Sequence, residues 1–239
     1  MTNVKNATTA ATTTTPATAN QRTLAAVPAI ITRILASNIV AYITTLAVTV
    51  CATTSAEPVV ALSNGNYTWL LAMMAPFLVV FFDFRRLMHL GASSDYLIAA
   101  IVAYAILAVV VSACNTLVHL AIDPLNRNQQ VINLMDVCGW TRNGWFVAFL
   151  QQTLFLLMVM LFLHMLLSMQ TYWYGWLTDV LLIAIIAMFT PIAPLRALLG
   201  RFFGLIMLNA NPVSHIGVCV LLSAAFCAIE LLILKRTTL

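Results

Sequence analysis

The sequence predicts an all-α, polytopic helical membrane protein with about six transmembrane helices, and three observations carry that prediction. Of 239 residues, 62% are hydrophobic and only 8% are charged. Mean hydropathy is +0.99. Long apolar runs recur along the chain with short polar stretches between them. A soluble domain devotes about a quarter of its residues to charge, so this shortfall leaves lipid as the neighbour of most of the exterior. A span needs roughly 20 mostly apolar residues to cross a ~30 Å hydrocarbon core, which leaves room for about six.

Residues 1–21 are rich in Thr, Ala and Asn and include Thr12-Thr13-Thr14-Thr15-Pro16. Such a stretch buries too little apolar area to offset the entropy of ordering, so a disordered cytoplasmic tail is expected ahead of a single transmembrane domain over 22–239. It lacks the charged start, apolar stretch and cleavage site of a signal peptide, and the first apolar segment is expected to stay in the mature protein. That first span is expected over 35–51, with Arg33 at its start and a polar loop over 53–66 after it. The second is expected over 67–82, and Pro76 inside it predicts a kink, because proline frees a backbone carbonyl.

Next comes Asp83-Phe84-Arg85-Arg86-Leu87-Met88-His89-Leu90-Gly91. Wound as a helix, it places Phe84, Leu87 and Met88 on one face and Arg85, Arg86 and His89 on another, which predicts an amphipathic cytoplasmic helix between spans two and three. Gly91 can close that helix, and Ser94 can cap the next, with Asp95 beside its positive end. The plainest reading of the arginines is a positive-inside bias; the sharper one is a docking element for a cytoplasmic partner.

The third span is expected over 96–120, followed by the longest loop, 121–143. Within it Val131, Leu134, Met135 and Cys138 fall at helical spacing and predict a short interfacial helix. The fourth span, 145–167, and the fifth, 174–192, are so close in sequence that they predict a tight antiparallel hairpin. Tyr172, Trp173, Tyr174 and Trp176 lie at its turn, where amphipathic rings favour the headgroup level. After Pro191 and Pro194, residues 196–208 form an apolar run too short to cross and interrupted by Arg201, which predicts a re-entrant or interfacial segment. The last span is expected over 215–234 and ends at Lys235-Arg236.

With six spans and an internal N-terminus, Lys5, Arg22, Arg33, Arg85, Arg86, Lys235 and Arg236 fall inside, and Arg127, Arg142, Arg196 and Arg201 outside. The larger group lies inside, so both termini are expected to be cytoplasmic. The formal net charge of +4 is dispersed and gives nucleic acid no basic face to bind. Cys51, Cys114, Cys138, Cys219 and Cys227 lack any CxxC spacing, which argues against a metal or redox site. Cys51 and Cys138 fall near the same predicted outer surface, where a disulfide is geometrically conceivable.

Ionisable groups at membrane depth are costly and are functional candidates by default. Asp83, Asp179 and Glu230 sit near predicted cytoplasmic ends, where a carboxylate snorkelled or exposed to water is the plainer expectation, and Asp83 beside Arg85 and Arg86 reads as a local ion pair. Gln151 and Gln152 lie toward the outer end of span four and His164 toward its inner end. Bonding to a neighbouring helix is the first expectation for them, and lining a substrate path the second. His119 is expected at the interface.

Enzyme readings lack their parts. Ser214-His215 has no Gly-x-Ser context, no HExxH pair exists, and the basic residues are too dispersed to hold a lipid phosphate. No catalytic residue, metal or cofactor is therefore expected.

The polar tail, the six spans, the amphipathic link and the re-entrant-like stretch together resemble the membrane subunits of type-2 ABC exporters. The segment RRLMHLGASSDY, from Arg85 to Tyr96, resembles a segment of small Gram-positive permeases that carries an arginine pair, Leu-Gly, Ser/Thr-Arg and Tyr. It departs from that pattern at Ser94, where a basic residue is frequent. WYGWLTDV and FTPIAPLRA are also similar to the family, without an assigned role. The resemblance implies a homodimer or heterodimer of permeases in a bacterial cytoplasmic membrane, served by a separate cytoplasmic ATPase docked at Arg85, Arg86 and His89. The chain has no GxxxxGK[ST] loop of its own. The implied cargo is an amphipathic peptide, lipid or drug. Two other classes stay open: a small substrate-capturing subunit of a vitamin-type importer, compatible with the small residues Ala99, Ala100 and Ala103, and a non-transporting membrane scaffold or sensor.

Overall fold

The computed structural model describes residues 19–37, 39, 43, 60–84, 93–125, 130–170, 172–209 and 211–237. Its elements in chain order are α1 (Ala19–Ser37), β1 (Val60–Leu62), α2 (Thr68–Leu78), α3 (Ser93–Ala121), β2 (Gln130–Ile132), α4 (Leu134–Val137), α5 (Trp145–Met169), α6 (Trp173–Phe189), α7 (Ala193–Ile206) and α8 (Pro212–Thr237). Short 3-10 turns at Asn64–Tyr67, Asp123–Leu125 and Trp140–Asn143 link them, and a π-helical stretch, Val79–Phe84, extends α2.

Among the described residues, four helical segments are long and apolar enough to cross a membrane: Asn64–Phe84, Asp95–Leu125, Trp145–Met169 and Pro212–Lys235. The pair α6 and α7, bent by 119°, makes a fifth if it counts as one span. At 1.5 Å per residue α3 is about 43 Å long, well beyond the ~30 Å of hydrocarbon. The protein is therefore an all-α membrane protein. Most of the expected first span, 35–51, lies outside the described residues. The helix that precedes it starts at Ala19, so Arg33 lies within α1 rather than at a span's start, and residues 19–21, expected in the tail, are helical.

Helix α5 forms the centre. Its apolar side chains run all round it, the pattern of a helix enclosed by others, and α2, α3 and α8 pack against it. Helix α1 lies on α3. Helix α8 buries one stripe, His215, Cys219, Glu230, Ile233 and Leu234, and exposes Val220, Leu221, Leu231 and Leu232. That apolar outer face is suited to lipid.

The expected kink at Pro76 takes another form. Pro76 stays within α2, and the chain widens just after it, over Val79–Phe84. Buried residues here recur every four positions, as Ala75, Val79 and Asp83 and as Pro76, Val80 and Phe84. A four-residue period outruns the 3.6 of an α-helix, and wider i→i+5 turns reduce the drift, keeping Asp83 and Phe84 on the buried face.

The long loop also differs from expectation. Val131 pairs with Ala61 in a short parallel ladder of β1 and β2, and the helix after it is one turn, capped by Asn133. Ser63 accepts from the Asn133 amide at 3.2 Å and donates to Asp123 at 3.0 Å, and Asn133 also donates to Asn115 Oδ1 at 3.1 Å. Asn66 bonds Ile132 and Leu134 at 2.9 Å each. These bonds close the loop over the α5 N-terminus. Gly65 is required there, because a Cβ would stand 2.0 Å from Asn115 Oδ1.

The hairpin between α5 and α6 is as tight as expected. A Cβ on Gly175 would meet the Met169 carbonyl oxygen at 2.2 Å, so only glycine lets α6 start this close. After Pro191, Pro194 stands in the first turn of α7, where a missing N–H costs nothing. The expected re-entrant or interfacial segment, 196–208, is thus mostly the separate helix α7, set at a steep angle to α6.

Candidate functional site

Burial sorts the polar side chains of the bundle into two groups, one at each end of α5. Toward its C-terminus, His164 accepts a contact from Tyr104 of α3, Oη to Nδ1, at 2.7 Å. Its other nitrogen, Nε2, faces Glu230 Oε1 of α8 at 3.7 Å. Glu230 Oε2 lies 2.6 Å from Ser168 Oγ, one helical turn beyond His164 on α5. The Tyr96 ring packs against His164 with centroids 5.7 Å apart, and Phe84 meets Tyr96 edge-on at 5.5 Å.

This corrects the expectation for two carboxyls. Asp83 is 4% exposed and Glu230 2%, so both are enclosed by protein rather than snorkelled to water. Hydropathy gives depth along a helix, whereas enclosure depends on which way the helix is turned. Asp179 does sit at an edge, half-buried, and accepts a bond from Gln170 at the hairpin. Arg85, Arg86 and His89 lie outside the described residues.

The other group surrounds the α5 N-terminus. Gln151 and Gln152 are fully buried. Gln151 donates to the Asn209 carbonyl at 3.4 Å, and its own amide oxygen and both polar atoms of Gln152 make no hydrogen bond among the described residues. Phe155, one turn on, packs between Trp69 and Trp140 at 5.7 Å from each, and Trp140 lies 5.1 Å from His215. Neither indole N–H is bonded among the described residues. Gln152 stands about 18 Å along the axis from His164, so the two groups are separate.

Beyond them, His119 bridges Asp123 at 2.8 Å and Asp136 at 3.3 Å and lies against Trp145. Cys138 is a buried thiol, and Cys51, with which a disulfide was conceivable, lies outside the described residues. Burial pushes the Cys138 thiol up to about 11. Among the described residues no group of three His, Cys, Asp or Glu could hold a metal ion.

The sequence reading named Tyr96 only as the end of the segment RRLMHLGASSDY and did not single out Tyr104 or Ser168. The available signal was spacing: Tyr96 and Tyr104 are two turns apart on the face that carries Ala99, Ala100 and Ala103, where small side chains let α5 come close. Ser168 follows His164 by four residues and so shares its face.

The fold and the buried groups define a multi-span helical membrane protein with an ionisable cluster enclosed among three of its helices. No protein-family model, curated protein or solved structure matches the chain.

Proposed function

We propose that the chain is a permease-like membrane subunit of an ABC-type export system, with six spans and both termini in the cytoplasm of a bacterial cell. A separate ATPase supplies the energy, two permease subunits pair, and the cargo is an amphipathic peptide, lipid or drug. The observation that carries this reading is the contact of Phe84 with Tyr96. These residues flank the link that holds Arg85, Arg86 and His89, and Tyr96 in turn packs on the buried His164. A push on the link by a docked ATPase would pass through two rings to the junction of α3, α5 and α8. Rigid elements that meet at one node can move as a unit between access states.

The test is to purify the tagged full chain from its native membrane and identify bound nucleotide-binding proteins by mass spectrometry. An ATPase should accompany the chain and be lost from the double variant Arg85→Glu, Arg86→Glu. Absence of any ATPase, or its full retention by the double variant, would overturn the proposal.

A second reading, a substrate-capturing subunit of a vitamin-type importer, is favoured by the unbonded amide and indole groups around Gln152. A small molecule retained through purification, and lost on Gln152→Leu, would select it.

A further inference from the structure

The Ser168 hydroxyl has one hydrogen and stands within bonding distance of two oxygens, the Met165 carbonyl at 3.0 Å and Glu230 Oε2 at 2.6 Å. A carbonyl only accepts, and so does a carboxylate. The Met165 carbonyl lies inside α5, where the helix supplies a backbone N–H, so the Ser168 hydrogen is not owed to it; what an ionised Glu230, 2% exposed, would lack is a donor at Oε1, which makes no hydrogen bond among the described residues. With a proton on Glu230 Oε2, the carboxyl donates to Ser168 Oγ and Ser168 gives its own hydrogen to Met165. The 2.6 Å separation is in the range of an O–H···O bond.

The opposite side of the cluster fits the same count. When the Tyr104 hydroxyl donates to His164 Nδ1, the neutral imidazole carries its hydrogen on Nε2, the nitrogen that faces Glu230 Oε1. Tyr104 then donates to His164 and the Glu230 carboxyl to Ser168, while the 3.7 Å between His164 Nε2 and Glu230 Oε1 is too long for a hydrogen bond. No charge is left inside the bundle by these four side chains, which is the arrangement a low-dielectric interior favours.

We propose that Glu230, held between Ser168 and His164, is a buried proton-binding site of this protein. On uptake, an O–H bond forms at Oε2 as a hydronium ion gives up its proton; on release, that bond breaks and water takes the proton. No other covalent bond changes. His164 is a positioning residue, whose Nε2–H faces the carboxylate while the proton is away. Among the described residues, the titratable groups that face the site are Asp83 at the end of the π-helical stretch, Tyr96 and Tyr104 from α3, His164 from α5 and Cys227 on α8. This inference uses only hydrogen positions within the bundle and stands or falls independently of any ATPase partner.

Infrared difference spectroscopy on the full chain in lipid nanodiscs at neutral pH tests it. The wild type should show a protonated-carboxyl band that disappears in Glu230→Gln and shifts in heavy water. Ser168→Ala, which keeps the carboxyl and removes its acceptor, should move the same band, and it carries the decision alone if Glu230→Gln does not fold. Absence of a band that responds to these substitutions would overturn the proposal, and so would a band unmoved by heavy water, the mark of an acid sealed from exchange.

Discussion

At the C-terminal end of α5, His164, Glu230, Ser168 and Tyr104 meet across three helices, each reaching a partner on another element. At its N-terminal end Gln151 and Gln152 are buried as deeply, yet most of their amide capacity goes unused. The difference teaches that burial depth alone does not tell a polar group's energetic role. Two hydrogen bonds, Tyr104 to His164 and Ser168 with Glu230, tie α3 and α8 to α5, although His164 Nε2 and Glu230 Oε1 make none among the described residues. At the other end both polar atoms of Gln152 lack a partner among the described residues, a net cost of about 1–3 kcal/mol for each such group.

Disturbing the hairpin beyond Ser168 should have the largest effect. Gly175→Ala drives a Cβ into the Met169 backbone, which cannot move aside as a side chain would, and should cost about 3 kcal/mol. Chemical unfolding in a fixed detergent would measure it; a loss under about 0.5 kcal/mol would mean that the hairpin is looser than described. Tyr104→Phe removes the hydroxyl bonded to His164 and should cost about 1 kcal/mol by the same assay.

The smallest effect concerns reactivity rather than stability. Burial favours the neutral form of the Cys138 thiol and holds it up to about 11, while maleimide reacts with the thiolate. In a variant that keeps only this cysteine, labelling should be slow at neutral pH and accelerate as pH rises toward that value. Fast labelling at pH 7 would show that the loop opens over the α5 N-terminus.

Much of the fold was legible in the sequence. The second, third, fourth and last spans lie within a few residues of their expected positions, because lipid exposure imposes a local rule on every residue of a span. Val131 was misread because its partner, Ala61, is far away in the chain and no local period reports it. The site was less legible. His164 and Glu230 could each be flagged as polar groups in apolar helices, but their meeting depends on the rotation of α5 and α8 about their axes. Asp83 faces inward through wide turns that no residue type announces.

The most direct measurement of the contrast between the two ends is a pair of unfolding free energies, for Glu230→Leu and Gln152→Leu, taken in the same detergent. Glu230→Leu is expected to lose about 2 kcal/mol, since it strips Ser168 of its partner on α8, and Gln152→Leu to be neutral or stabilising, since it removes an amide unbonded among the described residues. Equal losses from both, or a larger loss from Gln152→Leu, would contradict the distinction between the bonded and the frustrated end.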